Sequence, residues 1–221
     1  MIGERMFTKE GDNMIDTKEK ILMTSLHLFA RDGYEAVSVS MIAKELGITK
    51  GALYKHYKNK RDIFDSIVER MFQIDAKRSQ QYHVPEEIYE VNPMPYEDVS
   101  IENIKNFTMG QYLFWTEDEF ASDFRRMLSL EQYRSQEMAE LYSQCLTSGP
   151  VQYMEDILRN MIDHGQLKDT DPQQLAIAFY APMYLFINIS DHCHDKTKNL
   201  ELLKSHIDQF FKENKNEIYK K

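Results

Sequence analysis

Apolar residues recur at helical spacing along most of this chain. Leu22, Leu26, Phe29 and Ala30 lie on one helical face and Gly33 follows them. A helix over about 17–32 is predicted, closed by a glycine that can take a positive φ. Ser38 is placed to cap a second helix. In it Val39, Ile42, Ala43 and Leu46 form one face until Gly47 stops it within two turns. Thr49 caps the next helix, read as Lys50 to Tyr57. Asn59, with Asp62 three residues on, resembles a capping box. It opens a fourth helix near Lys60, whose apolar face runs through Ile63, Phe64, Ile67, Val68, Met71 and Phe72.

Pro85, Pro93 and Pro95 break the pattern between Val84 and Tyr96. Further helices are predicted from Ser100 to about Trp115, over about 117–131, 135–147 and 150–163, from Pro172 to about His192, and from about Lys196 to Lys215. Gly165 suits a helix end and Pro172 a first helical position. No Val/Ile/Thr alternation with turn signals recurs, and Leu, Met, Lys and Glu are frequent, so the chain reads as all-α with about nine helices. It divides into a flexible tail over 1–16, a tri-helical helix-turn-helix unit over 17–64, and a larger helical domain over 65–221.

Composition narrows the class. The 221 residues are 42% hydrophobic, enough for a substantial core. No apolar run is long enough to span a bilayer, and the first residues lack the apolar stretch of a secretory signal. Cys145 and Cys193 are too few for a disulfide framework, so a cytoplasmic location is expected. The net charge of −9 is unevenly spread. Residues 17–78 hold 12 Lys/Arg and 8 Asp/Glu, whereas 79–221 hold 13 and 24. A basic front and an acidic rear suit a protein that presents one end to a polyanion.

The segment IAKELGITKGALY carries the chemistry for that contact. Ala43 lets two helices cross closely, Gly47 supplies the left-handed turn, and Ile48 and Leu53 fill the core between them. The helix from Lys50 is short enough to enter a major groove. Leu53 and Tyr57 point inward. Gly51 lets the backbone approach a duplex, and Lys50 reaches a base edge or phosphate. Tyr54 and His56 can bond phosphate oxygens, and Lys60 stands where a phosphate is favoured. Ser38 and Ser40 open the preceding helix toward the same backbone. The candidate DNA-binding set is Ser38, Ser40, Thr49, Lys50, Gly51, Ala52, Tyr54, Lys55, His56 and Lys60.

At these positions the sequence resembles the TetR family. Phe29, Gly33, Tyr34, Ile42, Ala43, Gly47, Ile48, Thr49, Gly51, Ala52, Leu53, Tyr54, His56, Lys60 and Asp62 stand where that family's N-terminal pattern has them. Tyr57, Val39 and Asn59 depart from it. The resemblance implies a variable helical rear domain that dimerises and commonly binds a small effector. It also implies a repressor that binds a pseudo-palindromic double-stranded operator as a homodimer and is released by a small molecule. The apolar stretch AIAFYAPMYLFI and the amphipathic segment with Leu200, Leu203, Ile207, Phe210 and Phe211 could bury surface against a second subunit.

An effector pocket is expected from Phe107, Tyr112, Trp115, Tyr133, Met138, Tyr142, Tyr180, Met183 and Tyr184, which could line an adaptable apolar cavity with polar tips or serve as ordinary core. His192, Cys193 and His194 are the one cluster of metal-ligand types. Adjacent ligands cannot easily all reach one ion, so neither metal nor cofactor is expected. No GxSxG, GxGxxG, P-loop or HExxH is found, which speaks against an enzyme. The alternative to a repressor is a helical protein-interaction module whose helix-turn-helix does not bind DNA.

Overall fold

A computed structural model describes residues 10–86, 96, 99–193 and 195–217, with side chains from Thr17 onward. Among the described residues there are ten helices and no named strand. Four form the front: α1 (Glu10–Asp32), α2 (Val39–Glu45), α3 (Lys50–Leu53) and α4 (Lys60–Tyr82). Six form the rear: α5 (Ile101–Glu117), α6 (Glu119–Glu131), α7 (Gln136–Leu146), α8 (Ser148–Asp163), α9 (Pro172–Ser190) and α10 (Thr197–Asn214).

Local chemistry sets most helix starts. The side chains of Ser38, Thr49, Asn59 and Ser100 each accept a backbone N–H three residues on, as N-caps do. Asp171 caps α9 ahead of Pro172 at its first turn. At the end of α2, Gly47 N–H bonds Lys44 O at 3.1 Å and Ile48 N–H bonds Ala43 O at 2.9 Å. This double closure requires a left-handed residue between them, and Gly47 has φ +64°.

Two boundaries differ from the sequence expectation. Helix α1 begins at Glu10, so part of the expected tail is helical. An apolar stripe marks where a helix packs, and its backbone ladder can continue beyond that stripe. Helix α3 ends at Leu53 rather than Tyr57. Beyond it the chain tightens, with Lys55 N–H to Ala52 O and His56 N–H to Leu53 O, both three residues back. The expected break over Val84 to Tyr96 lies largely outside the described residues.

One apolar core runs from front to rear. Ile21, Leu26, Phe29, Ile42, Leu53, Ile63 and Phe64 fill the front, and the core continues through Phe124, Met127 and Leu128 of α6 to Leu158, Phe179 and Leu203. Helix α1 lies along α6, and α8 along α9. Charge reinforces the rear: Arg125 of α6, 4% exposed, donates to both carboxylate oxygens of Asp191 at the end of α9, at 2.7 and 2.6 Å. Asp123 of the same helix accepts a hydrogen bond from the His27 ring of α1, at 3.1 Å.

Helix α9 is apolar on two sides. Leu175, Ala176, Phe179, Tyr180, Met183 and Ile187 are buried within the subunit. Ile177, Ala181, Leu185 and Ile189, four residues apart, face outward, and Leu202 of α10 is exposed as well.

Candidate functional site

Leu53, fully buried, and Tyr57, 2% exposed, anchor the α3 segment to the front core. The Tyr57 hydroxyl donates to Lys18 O at 3.4 Å. With those two residues inward, Lys50, Gly51, Tyr54 and Lys55 face solvent together with Thr49, while Ala52 and His56 are half-buried. Tyr54 is 50% exposed, which is unusual for a large aromatic with a core so near. Ser38 and Ser40 are exposed at the start of α2. The Ser38 and Thr49 oxygens accept from their helices, at 3.3 and 3.1 Å, and each hydroxyl hydrogen is left to donate outward. Hydroxyl and cationic donors around a glycine form a surface suited to phosphate oxygens and base edges.

Lys60 is placed differently from its sequence reading. Its Nζ donates to Tyr34 O at 2.7 Å and lies 4.2 Å from the centre of the Tyr34 ring. A lysine at a helix start can satisfy a neighbouring loop carbonyl as readily as a phosphate, and only the packed loop decides which. Lys44 and Lys58 are exposed nearby and were not singled out in the sequence, because neither sits on the short helix that carries the motif.

Two of the joints between front and rear lie near the DNA-binding head. Arg61, in the first turn of α4, donates to both carboxylate oxygens of Glu137 of α7, at 3.0 and 2.5 Å, and also to Asp65. Those bonds hold the Glu137 carboxyl below its ordinary range. At the other joint Glu131 of α6 packs on the Gly33 turn.

The expected effector residues fall into three groups. Met138, Tyr180 and Met183 are buried, and Tyr142 and Tyr184, both half-buried, share a hydroxyl–hydroxyl bond of 2.5 Å. The Tyr180 hydroxyl donates to Leu146 O at 2.8 Å. Burial pushes the Tyr142 and Tyr180 hydroxyls well up. Phe107 meets the rings of Tyr82 and Tyr153, Trp115 packs on Phe114, and Tyr112 bonds Ser190 at 2.7 Å deep in the core. Tyr133 does not join them: it is 89% exposed in the turn after α6, where no helical period dictates a direction.

Four residues absent from the sequence-derived set stand close to this region. Asp75 of α4 accepts from Gln111 at 3.2 Å, and its charge is felt by Cys145 and Tyr153. Asp75 stands four residues beyond Met71, where the apolar stripe of α4 calls for another apolar residue, and that interruption was the signal. Among the described residues no group of three or more His, Cys, Asp or Glu could hold a metal ion, and His194 lies outside them. No helix among the described residues is long and apolar enough to cross a membrane.

A capped helix-turn-helix with an exposed, donor-rich second helix, set on a helical body, defines a DNA-binding architecture. Residues 21–67 match the family described as bacterial regulatory proteins, tetR family. Over 56 residues the chain is 45% identical to the HTH-type transcriptional regulator YerO of Bacillus subtilis, covering 25% of this chain and 19% of YerO. Over 64 residues it is 43% identical to the HTH-type transcriptional regulator AcrR of Shigella flexneri, covering 29% and 30%. The chain therefore spans less than a third of either relative. Across its whole fold it is similar to SmeT, the repressor of the Stenotrophomonas maltophilia multidrug efflux pump SmeDEF, with TM-score 0.59, 21% identity, and 92% and 93% of the chains covered. A SmeT–triclosan complex gives TM-score 0.66 at 19% identity, over 91% and 93%. The front of the chain thus matches the TetR family's N-terminal region, and the fold of the chain as a whole is like that of SmeT.

Proposed function

We propose that this protein is a ligand-responsive transcriptional repressor that binds a pseudo-palindromic operator as a homodimer and acts in the cytoplasm. The observation that carries the reading is the exposure of Lys50, Gly51, Tyr54 and Lys55 on one side of a segment whose other side, Leu53 and Tyr57, is buried. Lys50 and Gly51 are assigned to the groove, and Ser38, Ser40, Thr49, Tyr54 and Lys55 to the flanking backbone, with Ala52 and His56 beside them. The outward stripe Ile177, Ala181, Leu185 and Ile189 supports a self-complementary interface with α9 and α10 of a second copy. Two heads then read two half-sites one helical turn apart.

A small molecule held between α4, α5, α7 and α9 would act on the heads through α4. The Arg61–Glu137 joint ties the first turn of that helix to the rear domain. The SmeT–triclosan complex supports a small-molecule role for this region by likeness of fold.

Fluorescence anisotropy with labelled duplexes from the gene's own upstream region tests the reading. Sequence-dependent, salt-sensitive binding is expected, weakened by Lys50→Ala and by Tyr54→Ala, with the dimer unchanged in sedimentation. Binding that ignores sequence, or variants that bind like the parent, would leave a helical interaction module as the better description.

A further inference from the structure

Helix α5 carries a glycine near its middle, and the last turn of α4 fills the gap it leaves. Proline apart, glycine is the residue least suited to a helix interior. A Cβ at Gly110 would collide with Oη and Cζ of Tyr82 and stand 3.1 Å from its Cε2. The Tyr82 ring therefore rests on bare α5 backbone. It is held in that seat from several sides. Phe107, one turn back along α5, meets it edge-on with the ring centres 5.9 Å apart. The Arg78 guanidinium lies 5.5 Å from its centre. The Asn103 side chain donates to Tyr82 O at 3.3 Å. Asn103, Phe107 and Gly110 share one face of α5, being four and three residues apart. Directly after Tyr82 the helix stops, because His83 turns left-handed with φ +54°.

The two halves of α4 have different attachments. Ile63, Phe64 and Ile67 are buried in the front core, and Arg70 bonds Glu19 of α1, so the first half moves with the head. The second half is joined to α5. Asp75 accepts from Gln111, Arg78 donates to Gln111 at 3.3 Å, and the Arg78 guanidinium lies 4.3 Å from the centre of the Phe114 ring. Such polar and ring contacts tolerate a small slide. A ring seated on bare backbone does not, because close-packed atoms resist overlap steeply. At 1.5 Å per residue, α4 spans about 33 Å from Lys60 to Tyr82. A sideways step of about 1–2 Å at Tyr82, enough to admit a methyl group, tilts that length by about 2–4°.

We infer that Tyr82, seated in the gap at Gly110, is a positioning residue for DNA binding: it is the pivot that fixes how α4 stands on α5, and with it where the head stands on the rear domain. Gly110 is then required for its missing side chain, and its cost to the helix is the cost of the seat. In a two-fold dimer the same displacement occurs in both subunits, so the separation of the two heads changes by up to twice the step made in one. A single head reading a single half-site is unaffected. That head separation governs operator affinity rests on the proposed regulatory function; that Tyr82 and Gly110 set the stance of α4 does not.

The test compares Gly110→Ala with Gly110→Ala/Tyr82→Leu, since leucine lacks the atoms that the new methyl would strike. Spin labels at Glu45→Cys in the head and Lys212→Cys in α10, with Cys145→Ser and Cys193→Ser, report the front-to-rear distance by pulsed electron resonance. Excess unlabelled chain keeps each labelled pair within one molecule. Gly110→Ala should shift the distance, and the double variant should bring it back. Tyr82→Leu alone, which empties the seat, should broaden the distribution. Circular dichroism establishes that each variant is folded. A folded Gly110→Ala chain with the parent's distance, a shift that Tyr82→Leu does not reverse, or a Tyr82→Leu distribution as narrow as the parent's overturns the inference. Anisotropy on the unlabelled variants then reads the consequence. Gly110→Ala should weaken the full operator by roughly tenfold, leave a half-site duplex within about twofold, and be rescued by the second substitution. A shifted distance with unchanged operator affinity sinks the regulatory reading and leaves the pivot standing.

Discussion

Glu131 of α6 lays its carboxylate against Gly33, the residue that turns the chain out of α1. A Cβ on Gly33 would stand 2.7 Å from Glu131 Oε1. Gly33 has φ +87°, so a side chain there meets both backbone strain and a crowded partner. Glu131 itself is 1% exposed, and its Oε1 makes no hydrogen bond. The contact sits where the DNA-binding front meets the rear domain.

Gly33→Ala is therefore expected to destabilise the chain by at least about 1–2 kcal/mol, the cost of a left-handed backbone at a non-glycine residue. Urea denaturation reads it as a lower midpoint. Glu131→Gln should not rescue it, because the backbone strain remains. A Gly33→Ala protein with the parent's midpoint would show that the turn relaxes freely.

The Arg125–Asp191 pair joins α6 to the end of α9. Burial works to raise the Asp191 carboxyl, but the bonds and charge of Arg125, with the charge of Arg126, hold it below its ordinary range. Arg125→Met removes the better partner and leaves Asp191 partly buried with Arg126 alone. A loss of about 2–3 kcal/mol is expected, less than the roughly 3–5 kcal/mol of a fully buried broken pair, because Asp191 keeps some access to water. A carboxyl lowered by folding contributes stability above its unfolded pKa and loses it as pH falls through the folded value. The gap between parent and variant should thus narrow on acidification below pH about 4. Chemical denaturation at pH 7 and pH 3 measures it.

Asp75 predicts the opposite sign. Desolvation raises its carboxyl, only partly countered by Gln111 and Arg78. A carboxyl raised by folding favours the native state only while protonated, and that advantage is lost as pH rises from its unfolded value, 3.8, through the folded one. Asp75→Asn should raise the thermal midpoint at pH 7, and the gain should vanish at pH 3. A lower midpoint at pH 7 would show that Asp75 is a structural acid.

Burial, with the charge of Asp75 adding to it, pushes the Cys145 thiol up to about 12. Thiolate is the reactive form, so Cys145 should react slowly with a thiol reagent at pH 8 in the folded chain and promptly once unfolded. A Cys193→Ser variant isolates the measurement. Asp75→Asn in that background should speed the native reaction. A Cys145 that reacts at once in the folded state would contradict its half-buried placement on α7.

The front of the molecule was legible because its cues are local. Ser38, Thr49 and Asn59 cap the helices that follow them, and Gly47 takes the left-handed turn its type permits. Leu53 and Tyr57 are buried as their spacing requires, which leaves Lys50, Gly51, Tyr54 and Lys55 outward. Lys60 was harder, since a phosphate and the Tyr34 carbonyl attract an ammonium alike and only the folded loop brings one of them to 2.7 Å.

By itself the amino-acid sequence determined the helical class, most helix starts, the helix-turn-helix and the resemblance of the front to the TetR family. All depend on backbone preferences and apolar periods that act within a few residues. The tertiary structure alone decided which face of α9 stays exposed and how Arg61 and Glu131 couple the front to the rear. Those properties depend on which helices meet. A side chain's solvation and partners are set by residues distant in the chain, so the Lys60 ammonium could be read in the sequence as a phosphate ligand and only in the fold as the partner of the Tyr34 carbonyl.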